Sequence, residues 1–326
     1  MNPTKNLDLT SEWDKVFPRD ERVDHCKVTF ANRYGITLAA DLYKPRGAAE
    51  PLPALAVSGP FGAVKEQSSG LYAQEMAARG FLTVAFDPSF TGESAGEPRR
   101  VASPDINTED FCAAVDYLSC RDDVDAERIG IIGICGWGGM AINAAALDPR
   151  IKATAAMTMY DMSRIAREGY FGADDSREAR DCQRAAWAAQ RTADFASGEP
   201  VRAGGVVDPV PDDAPQFVRD YHDYYKTARG YHERSGNSTD GWNATGTMSF
   251  LNQPLLAMAP EIDTPVLLVH GEKAHSRYFS EGAFEQLTGD NKELMIIPGA
   301  NHVDLYDNFD DIPFARLQDF FEKGLR

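Results

Sequence analysis

Residues 128–147 read RIGIIGICGWGGMAINAAAL, and this stretch decides the fold. Its first seven residues form the apolar run of a buried parallel strand, and its last nine have the small apolar side chains of a packed helix. Cys135 stands between the two, next to Gly136 and two residues after Gly133. Because glycine lacks a Cβ, both neighbours permit a sharp, strained turn. The stretch therefore predicts a strand, a tight elbow that carries a thiol, and a helix.

The chain on either side of this elbow alternates between apolar runs and amphipathic segments. Eight runs are typical of strands, at residues 26–32, 36–43, 53–59, 81–87, 128–134, 151–159, 264–271 and 293–299. Amphipathic helices are predicted at residues 69–80, 108–120, 139–147, 280–287 and 314–325, with Asn107 as the cap of the second. The pattern predicts the α/β class, with a mostly parallel central sheet flanked by helices on both faces.

Residues 163–250 interrupt this alternation. They are rich in Asp, Arg, Gly and Tyr, and they contain helical stretches such as residues 177–195 but no long buried strand. We interpret them as a helical cap inserted between two parts of one core, residues 1–162 and residues 251–326. The tyrosines of DYHDYYKTARGY (residues 220–231) either line a substrate pocket or pack the cap, and the sequence leaves both open.

The composition argues against several partners and favours a cytoplasmic location. With 326 residues, a net charge of −17 and a pI near 4.8, the chain repels nucleic acid and anionic membrane surfaces. It shows neither a signal-peptide pattern nor the roughly 20 apolar residues of a membrane helix. Five cysteines without a CxxC pair argue against disulfides and a zinc cluster. We expect a cytoplasmic protein without metal or cofactor, and a homodimer as the default oligomer.

The thiol at the elbow competes with a serine for the role of nucleophile. The literal Gly-x-Ser-x-Gly pattern occurs once, around Ser94. A nucleophile elbow needs a strand directly before it and a helix directly after, whereas Ser94 follows a loop and precedes Pro98, so we interpret it as part of a surface turn. Cys135 has the required context, and a helix N-terminus beneath it favours the thiolate. The alternative for Cys135 is a buried cysteine that only packs.

The chain resembles the α/β-hydrolase superfamily, and within it the dienelactone-hydrolase-like and Xaa-Pro-dipeptidyl-peptidase-like branches. The resemblance extends from about residue 26 to the end and rests on four motifs: SGPFG (58–62), DPSFTGES (87–94), GICGWGG (133–139) and PGANH (298–302). It implies the α/β-hydrolase fold, and a cysteine at the nucleophile position looks like the dienelactone hydrolases. In one departure, Trp137 stands where the family usually has a small residue, so the packing of the elbow must differ.

The resemblance also implies a catalytic triad. Its base is a histidine in the loop after the last strand, where His302 lies, whereas His270 ends a strand and is better explained as structural. The acid usually follows the seventh predicted strand, but Ala274 occupies that position. Glu272 is the nearest carboxylate, and Asp161, after the sixth strand, is the other position that the topology permits. The alternative for both carboxylates is a surface or loop-stabilising role.

The oxyanion hole is expected from backbone amides. One is the N–H of Gly136, and the other lies in SGPFG, where Phe61 or Gly62 can supply it because Pro60 has no N–H.

These residues together predict an enzyme that acts on a small-molecule acyl substrate. The thiolate of Cys135 attacks the carbonyl, His302 protonates the leaving group, and water hydrolyses the resulting thioester. We expect hydrolysis of an ester, lactone or thioester. Acyl transfer and C–C bond cleavage on the same scaffold are alternatives, since the fold alone does not separate them. A non-catalytic binding protein of this fold is a third.

Overall fold

A computed structural model gives the structure of the chain and describes residues 6–326, so the first five residues of the predicted first core segment lie outside the described residues. Eight strands form one sheet: β1 (Val23–Ala31), β2 (Thr37–Pro45), β3 (Leu52–Ser58), β4 (Leu82–Phe86), β5 (Val124–Ile134), β6 (Ile151–Met157), β7 (Val266–Gly271) and β8 (Lys292–Ile297). Each of the eight apolar runs forms one of them, which confirms the α/β class.

The strand order determines which loops meet at the site. The order is β1-β2-β4-β3-β5-β6-β7-β8, in which β2 is antiparallel to β1 and β4, and all the pairs from β4 to β8 are parallel. The carboxyl ends of β3, β5, β6, β7 and β8 therefore lie along one edge of the sheet, where open α/β sheets bind ligands. Because β5 lies between β3 and β6, the elbow after β5 is flanked by the loops that follow these two strands.

Ten α-helices accompany the sheet among the described residues: α1 (Ser68–Ala77), α2 (Pro104–Ser119), α3 (Gly136–Leu147), α4 (Met162–Glu168), α5 (Arg177–Ser197), α6 (Gln216–Lys226), α7 (Gly236–Thr239), α8 (Arg277–Gln286), α9 (Asp304–Asp307) and α10 (Phe314–Gly324). Short 3₁₀ helices cover Tyr170–Gly172, Met248–Leu251 and Ala259–Glu261. Within residues 6–326, no helix has the length and apolar character needed to cross a membrane.

The start of α2 corrects the prediction that Asn107 caps this helix. The helix begins one turn earlier, at Pro104, whose fixed φ suits the first helical position. Ser103 is the cap, since its hydroxyl accepts the N–H of Ile106. The Asn107 side chain accepts the N–H of Ser103 at 2.8 Å, which completes a reciprocal cap.

The segment between β6 and β7 contains α4 to α7 and lacks a strand of the sheet throughout residues 158–265, all of which the structure describes. Helix α5 lies on the surface without a buried residue, whereas α6 buries Tyr224 and Tyr225. The division at residues 163 and 250 into cap and core stays a prediction.

A buried ionic cluster fixes the loop after β3, which contains Phe61. At its centre, the fully buried Nζ of Lys65 lies 2.7 Å from Glu66, 2.8 Å from Asp87 and 2.6 Å from Glu93. Asp87 also accepts the backbone N–H of Lys65 at 2.8 Å. Because buried charges need partners, these contacts hold the loop against the residues that follow β4.

Candidate active site

Cys135 occupies a strained elbow between β5 and α3. Its φ of 58° and ψ of −126° lie in a region that residues with a side chain rarely adopt. Three backbone hydrogen bonds of 2.9 Å hold it there: the Cys135 N–H donates to the carbonyl of Met157, and the N–H groups of Gly138 and Tyr160 donate to the carbonyl of Cys135. Strain of this kind costs about 1–3 kcal/mol and persists where the surroundings enforce it, often at functional sites.

The bulky Trp137 is accommodated by a glycine on the neighbouring strand end. The Trp137 side chain is buried, and a Cβ added to Gly59 would lie 2.7 Å from its ring. The same Cβ would lie 2.2 Å from the carbonyl oxygen of Ile134. Because Gly59 has no side chain, it leaves the space that the large ring of Trp137 requires at a position where the family usually has a small residue.

The sulfur of Cys135 faces three hydrogen-bond donors. The residue is 6% exposed, and burial raises the pKa of the Cys135 thiol, while the hydroxyl of Tyr306 and the backbone amides of Phe61 and Gly136 act in the opposite direction. Burial outweighs the donors, so the resting thiol is protonated, in contrast to the thiolate expected from the sequence. The structure brings both amides to the sulfur of Cys135, and Phe61 rather than Gly62 is the residue of SGPFG whose amide faces it.

His302 lies in the loop between β8 and α9 and is buried. Its Nε2 lies 2.9 Å from the hydroxyl of Tyr306. Its Nδ1 lies 2.6 Å from Oγ of Ser276 and 2.8 Å from Oγ1 of Thr158. Burial is the largest cause that lowers the pKa of His302 well below its ordinary value, and the neighbouring His270 adds to it.

Neither carboxylate expected as the triad acid is hydrogen-bonded to His302. Glu272 is exposed, and its side chain accepts the backbone N–H of Gly299 at 2.8 Å. Asp161 caps α4, where it accepts the N–H of Ser163 at 2.9 Å. Across residues 6–326, no Asp or Glu forms a hydrogen bond or ion pair with the imidazole. In these contacts both carboxylates stabilise local structure.

A chain of hydroxyls and a second imidazole stands where the acid was expected. Oγ of Ser276 lies 2.9 Å from Nε2 of His270, whose Nδ1 lies 2.6 Å from Oγ of Ser280. Burial lowers the pKa of His270 to about 3, so this imidazole is neutral. The chain is satisfied with its protons running in either direction. In the direction that suits a base, Nδ1–H of His302 donates to Ser276, Ser276 donates to His270, and His270 donates to Ser280. It leaves Nε2 of His302 unprotonated and free to act as a base.

Thr158 is a second strained residue at this site. It follows β6 with a φ of 43°, which is unfavourable for a β-branched residue. Its N–H donates to the carbonyl of Val269 at 2.6 Å. This conformation directs its hydroxyl at Nδ1 of His302. Strained backbone thus occurs both at Cys135 and at a residue that contacts His302.

An apolar cavity of about 330 Å³ opens above Cys135. Its wall combines aromatic, aliphatic and small polar side chains and contains no Asp, Glu, Lys or Arg among the described residues; it includes Phe61, Tyr160, Met162, Ile165, Tyr170, Val206, Val218, Tyr221, Tyr225, Ser238, Trp242 and Tyr306. The hydroxyls of Tyr160 and Tyr221 are 3.0 Å apart. Of the α6 tyrosines, Tyr221 and Tyr225 line the cavity, whereas Tyr224 packs against Tyr306 of α9.

Ser94 is engaged by backbone groups. Its hydroxyl donates to the carbonyl of Asp87 at 2.6 Å and accepts the N–H of Ala39 at 2.8 Å. The expectation of a surface turn was wrong, because Ser94 is buried where the loop after β4 folds back on β2.

The sequence analysis missed Tyr306, Ser276 and Thr158. Tyr306 could have been found from its spacing, since it follows His302 by four residues and these two positions share a face wherever the chain turns helically. Ser276 and Thr158 carry no comparable signal, because their contact with His302 joins loops from three different strands.

Comparison with a solved structure identifies the fold. The structure of the α/β hydrolase GrgF from Penicillium sp. sh18 covers 93% of this chain and 99% of its own, with a TM-score of 0.75 at 22% identity. This likeness, with the elbow at the carboxyl edge of the sheet, shows the α/β-hydrolase fold. The model of the X-Pro dipeptidyl-peptidase (S15) family matches residues 34–304, and the chain belongs to that family.

Several relatives match the chain over different lengths. It is 57% identical to the uncharacterized protein PA2218 of Pseudomonas aeruginosa, over 98% of this chain and 86% of the relative. The crystal structure of PA2218 has a TM-score of 0.96 and covers 99% of this chain and 100% of its own. The uncharacterized protein YcjY of Escherichia coli is 36% identical over 92% of this chain and 99% of its own. The thiohydrolase aneE of Aspergillus aculeatus is 35% identical over 41% of each chain.

Proposed function

We propose that this protein is a cysteine-dependent hydrolase that cleaves a neutral ester, thioester or lactone of a small molecule through a covalent acyl-enzyme. The observation that carries the proposal is the strained Cys135, whose sulfur faces the amides of Phe61 and Gly136. Amides in this position stabilise the oxyanion that forms when the sulfur adds to a carbonyl, typically by about 3 kcal/mol each.

The reaction begins from neutral partners. Burial raises the pKa of the Cys135 thiol and lowers that of His302, so a resting thiolate–imidazolium pair is disfavoured. The thiol proton therefore leaves as the sulfur attacks, and it ends on Nε2 of His302. The imidazolium then protonates the leaving group, and a water activated by the same nitrogen hydrolyses the thioester.

The cavity favours an uncharged, largely apolar acyl group. A charged group would lose its hydration in a cavity whose described wall has no ionised side chain to replace it. The free ammonium group of a peptide is disfavoured for the same reason, so we propose an ester-like substrate over an X-Pro dipeptide. The thiohydrolase aneE, which matches 41% of this chain, is consistent with a thioester.

Acyl transfer is a second candidate, favoured by the surroundings of His302. Without a carboxylate beside Nδ1, the imidazole is a weaker base for activating water. A thiol acceptor needs less activation, since it is intrinsically more nucleophilic than water. N-acetylcysteamine added to the acyl-enzyme distinguishes the two: transfer yields its thioester, and hydrolysis yields the free acid.

The proposal is tested with p-nitrophenyl acetate and butyrate. We expect the wild type to release nitrophenol and to gain the mass of one acyl group on Cys135, and we expect Cys135→Ala to do neither. Cys112→Ala is the matched control, because Cys112 is also a buried free thiol but lies in α2. Undiminished turnover by Cys135→Ala would exclude the cysteine mechanism. A wild type that forms no adduct with these or with thioester substrates would favour a binding protein.

A further inference from the structure

The hydroxyl of Tyr306 lies between the thiol and the imidazole. Tyr306 is the third residue of α9 and is fully buried. Its hydroxyl lies 2.9 Å from Nε2 of His302. Tyr306 and Cys135 line the same cavity, and the hydroxyl acts on the pKa of the Cys135 thiol. The two groups that must exchange a proton in the proposed reaction are therefore joined through a third side chain.

Packing fixes the ring of Tyr306 in this position. Tyr224 contacts it edge-on, with ring centroids 5.0 Å apart, and His302 does the same at 5.3 Å. Tyr225 lies on a further side at 6.3 Å. A buried aromatic ring held by three others has little freedom to swing aside, so the hydroxyl is a permanent part of the path between sulfur and imidazole.

The direction of the hydrogen bonds suits proton transfer. With the protons arranged as described for Ser276 and His270, Nε2 of His302 carries no proton, and the Tyr306 hydroxyl donates to it. The oxygen of Tyr306 then has lone pairs that can accept the proton of the Cys135 thiol. The described contacts thus form one continuous path from S–H through O–H to the unprotonated nitrogen.

We propose that Tyr306 is a catalytic residue that relays the proton between Cys135 and His302, an inference that rests on the proposed function. As the sulfur attacks, the S–H bond breaks and a new O–H bond forms on Tyr306. The original O–H bond of Tyr306 breaks, and its proton forms the N–H bond at Nε2 of His302. Tyr306 ends with one proton, as it began, and the step needs no further reagent.

The two transfers occur together. Burial raises the pKa of Tyr306 well above its ordinary value, so the phenolate is not a stable intermediate.

The relay is tested by alkylation of Cys135 with iodoacetamide in the wild type and in Tyr306→Phe, with the labelled peptide identified by mass spectrometry. This readout needs no acyl substrate. At pH 7 we expect alkylation of Tyr306→Phe to fall roughly tenfold or more, because the thiol loses its route to a base. The difference in alkylation rate between Tyr306→Phe and the wild type should become smaller towards pH 10, because hydroxide then removes the proton of the Cys135 thiol. Acylation by p-nitrophenyl butyrate should fall in parallel.

Tyr72→Phe is the matched control. Its buried hydroxyl donates to the carbonyl of Leu305 at 2.7 Å, so its loss disturbs the same helix α9 without removing a group from the sulfur. We expect its alkylation to match the wild type at each pH.

Several outcomes would overturn the relay: unchanged alkylation in Tyr306→Phe, a deficit of equal size at every pH, or a wild type whose Cys135 is inert at pH 7. Failure of the proposed function gives a different result. In that case the wild type shows no acyl turnover, while Cys135 in Tyr306→Phe is alkylated more slowly at pH 7 than at pH 10, relative to the wild type. That result would support proton relay by Tyr306 and contradict the proposed hydrolase activity. If Tyr306→Phe is acylated at the wild-type rate, the proposed hydrolase function stands and the proposed role of Tyr306 in proton transfer is wrong.

Discussion

Replacing Lys65 with methionine removes the positive charge at the centre of the buried ionic cluster while keeping the length of the side chain. The Lys65 side chain is 0% exposed, and so are those of Glu66 and Asp87, whose oxygens lie 2.7 and 2.8 Å from its Nζ. Removing one partner of a buried ion pair leaves an uncompensated charge and costs about 3–5 kcal/mol. We expect the free energy of unfolding of Lys65→Met to fall by that amount at pH 7.5.

This deficit should depend on pH. Burial raises the pKa of Asp87, and the attraction of Lys65 is the largest effect that opposes it, so the pKa rises further in the variant. A carboxyl whose pKa is higher in the folded than in the unfolded state contributes stability at low pH, which is lost as the pH rises through the folded value. Protonation of Asp87 in Lys65→Met should therefore narrow the difference from the wild type at pH 5.

Urea denaturation followed by tryptophan fluorescence measures both effects. Lys152→Met is the control, because Lys152 forms an exposed pair with Glu127 at 3.4 Å and its loss should cost less than about 1 kcal/mol. A loss below about 1 kcal/mol in Lys65→Met, or a deficit equal at pH 7.5 and pH 5, would refute the reasoning that the cluster depends on the lysine charge.

Three further predictions concern the active site. Because burial depresses the pKa of His302, kcat/KM should stay level from pH 8 to pH 6, and a fall centred near pH 6.5 would contradict this. Gly59→Ala should lower the unfolding free energy by about 1–3 kcal/mol, since the new Cβ would lie 2.2 Å from the carbonyl oxygen of Ile134 and 2.7 Å from the ring of Trp137; an unchanged melting temperature would contradict this. Glu272→Gln should keep kcat within about threefold of the wild type, because the carboxylate binds a loop amide, whereas a loss near 10⁴-fold would identify it as the acid.

The sheet and the elbow could be predicted because both follow from local sequence. The central strands β3 to β7 each contain a continuous apolar run, which is the pattern of a sheet covered on both faces. The convergence of Phe61 and Gly136 was also foreseeable, since both contribute backbone amides and the loops that hold them follow adjacent strands. A backbone group keeps its position whatever the side chains around it do.

The partners of His302 could not be predicted in this way. Ala274 indicated that the usual acid was missing, but the contacts of Ser276 and Thr158 with the imidazole depend on how the ends of β6, β7 and β8 meet. The role of Asp161 as the N-cap residue of α4 was predictable, because an aspartate directly before a helix commonly accepts hydrogen bonds from the first backbone amides of that helix. The sequence therefore allowed two roles for Asp161, the N-cap of α4 and the acid of a triad, and the structure shows the hydrogen bonds of an N-cap.

The uncharged wall of the cavity has a consequence for the end of the catalytic cycle. Hydrolysis of a neutral ester would create a carboxylic acid, which ionises at neutral pH in water. The carboxylate would leave a cavity without a described cation for a solvent that hydrates it well, from a chain whose net charge is −17. Release of the acid product would then be favourable by itself, and the enzyme would be nearly insensitive to the acid that it accumulates.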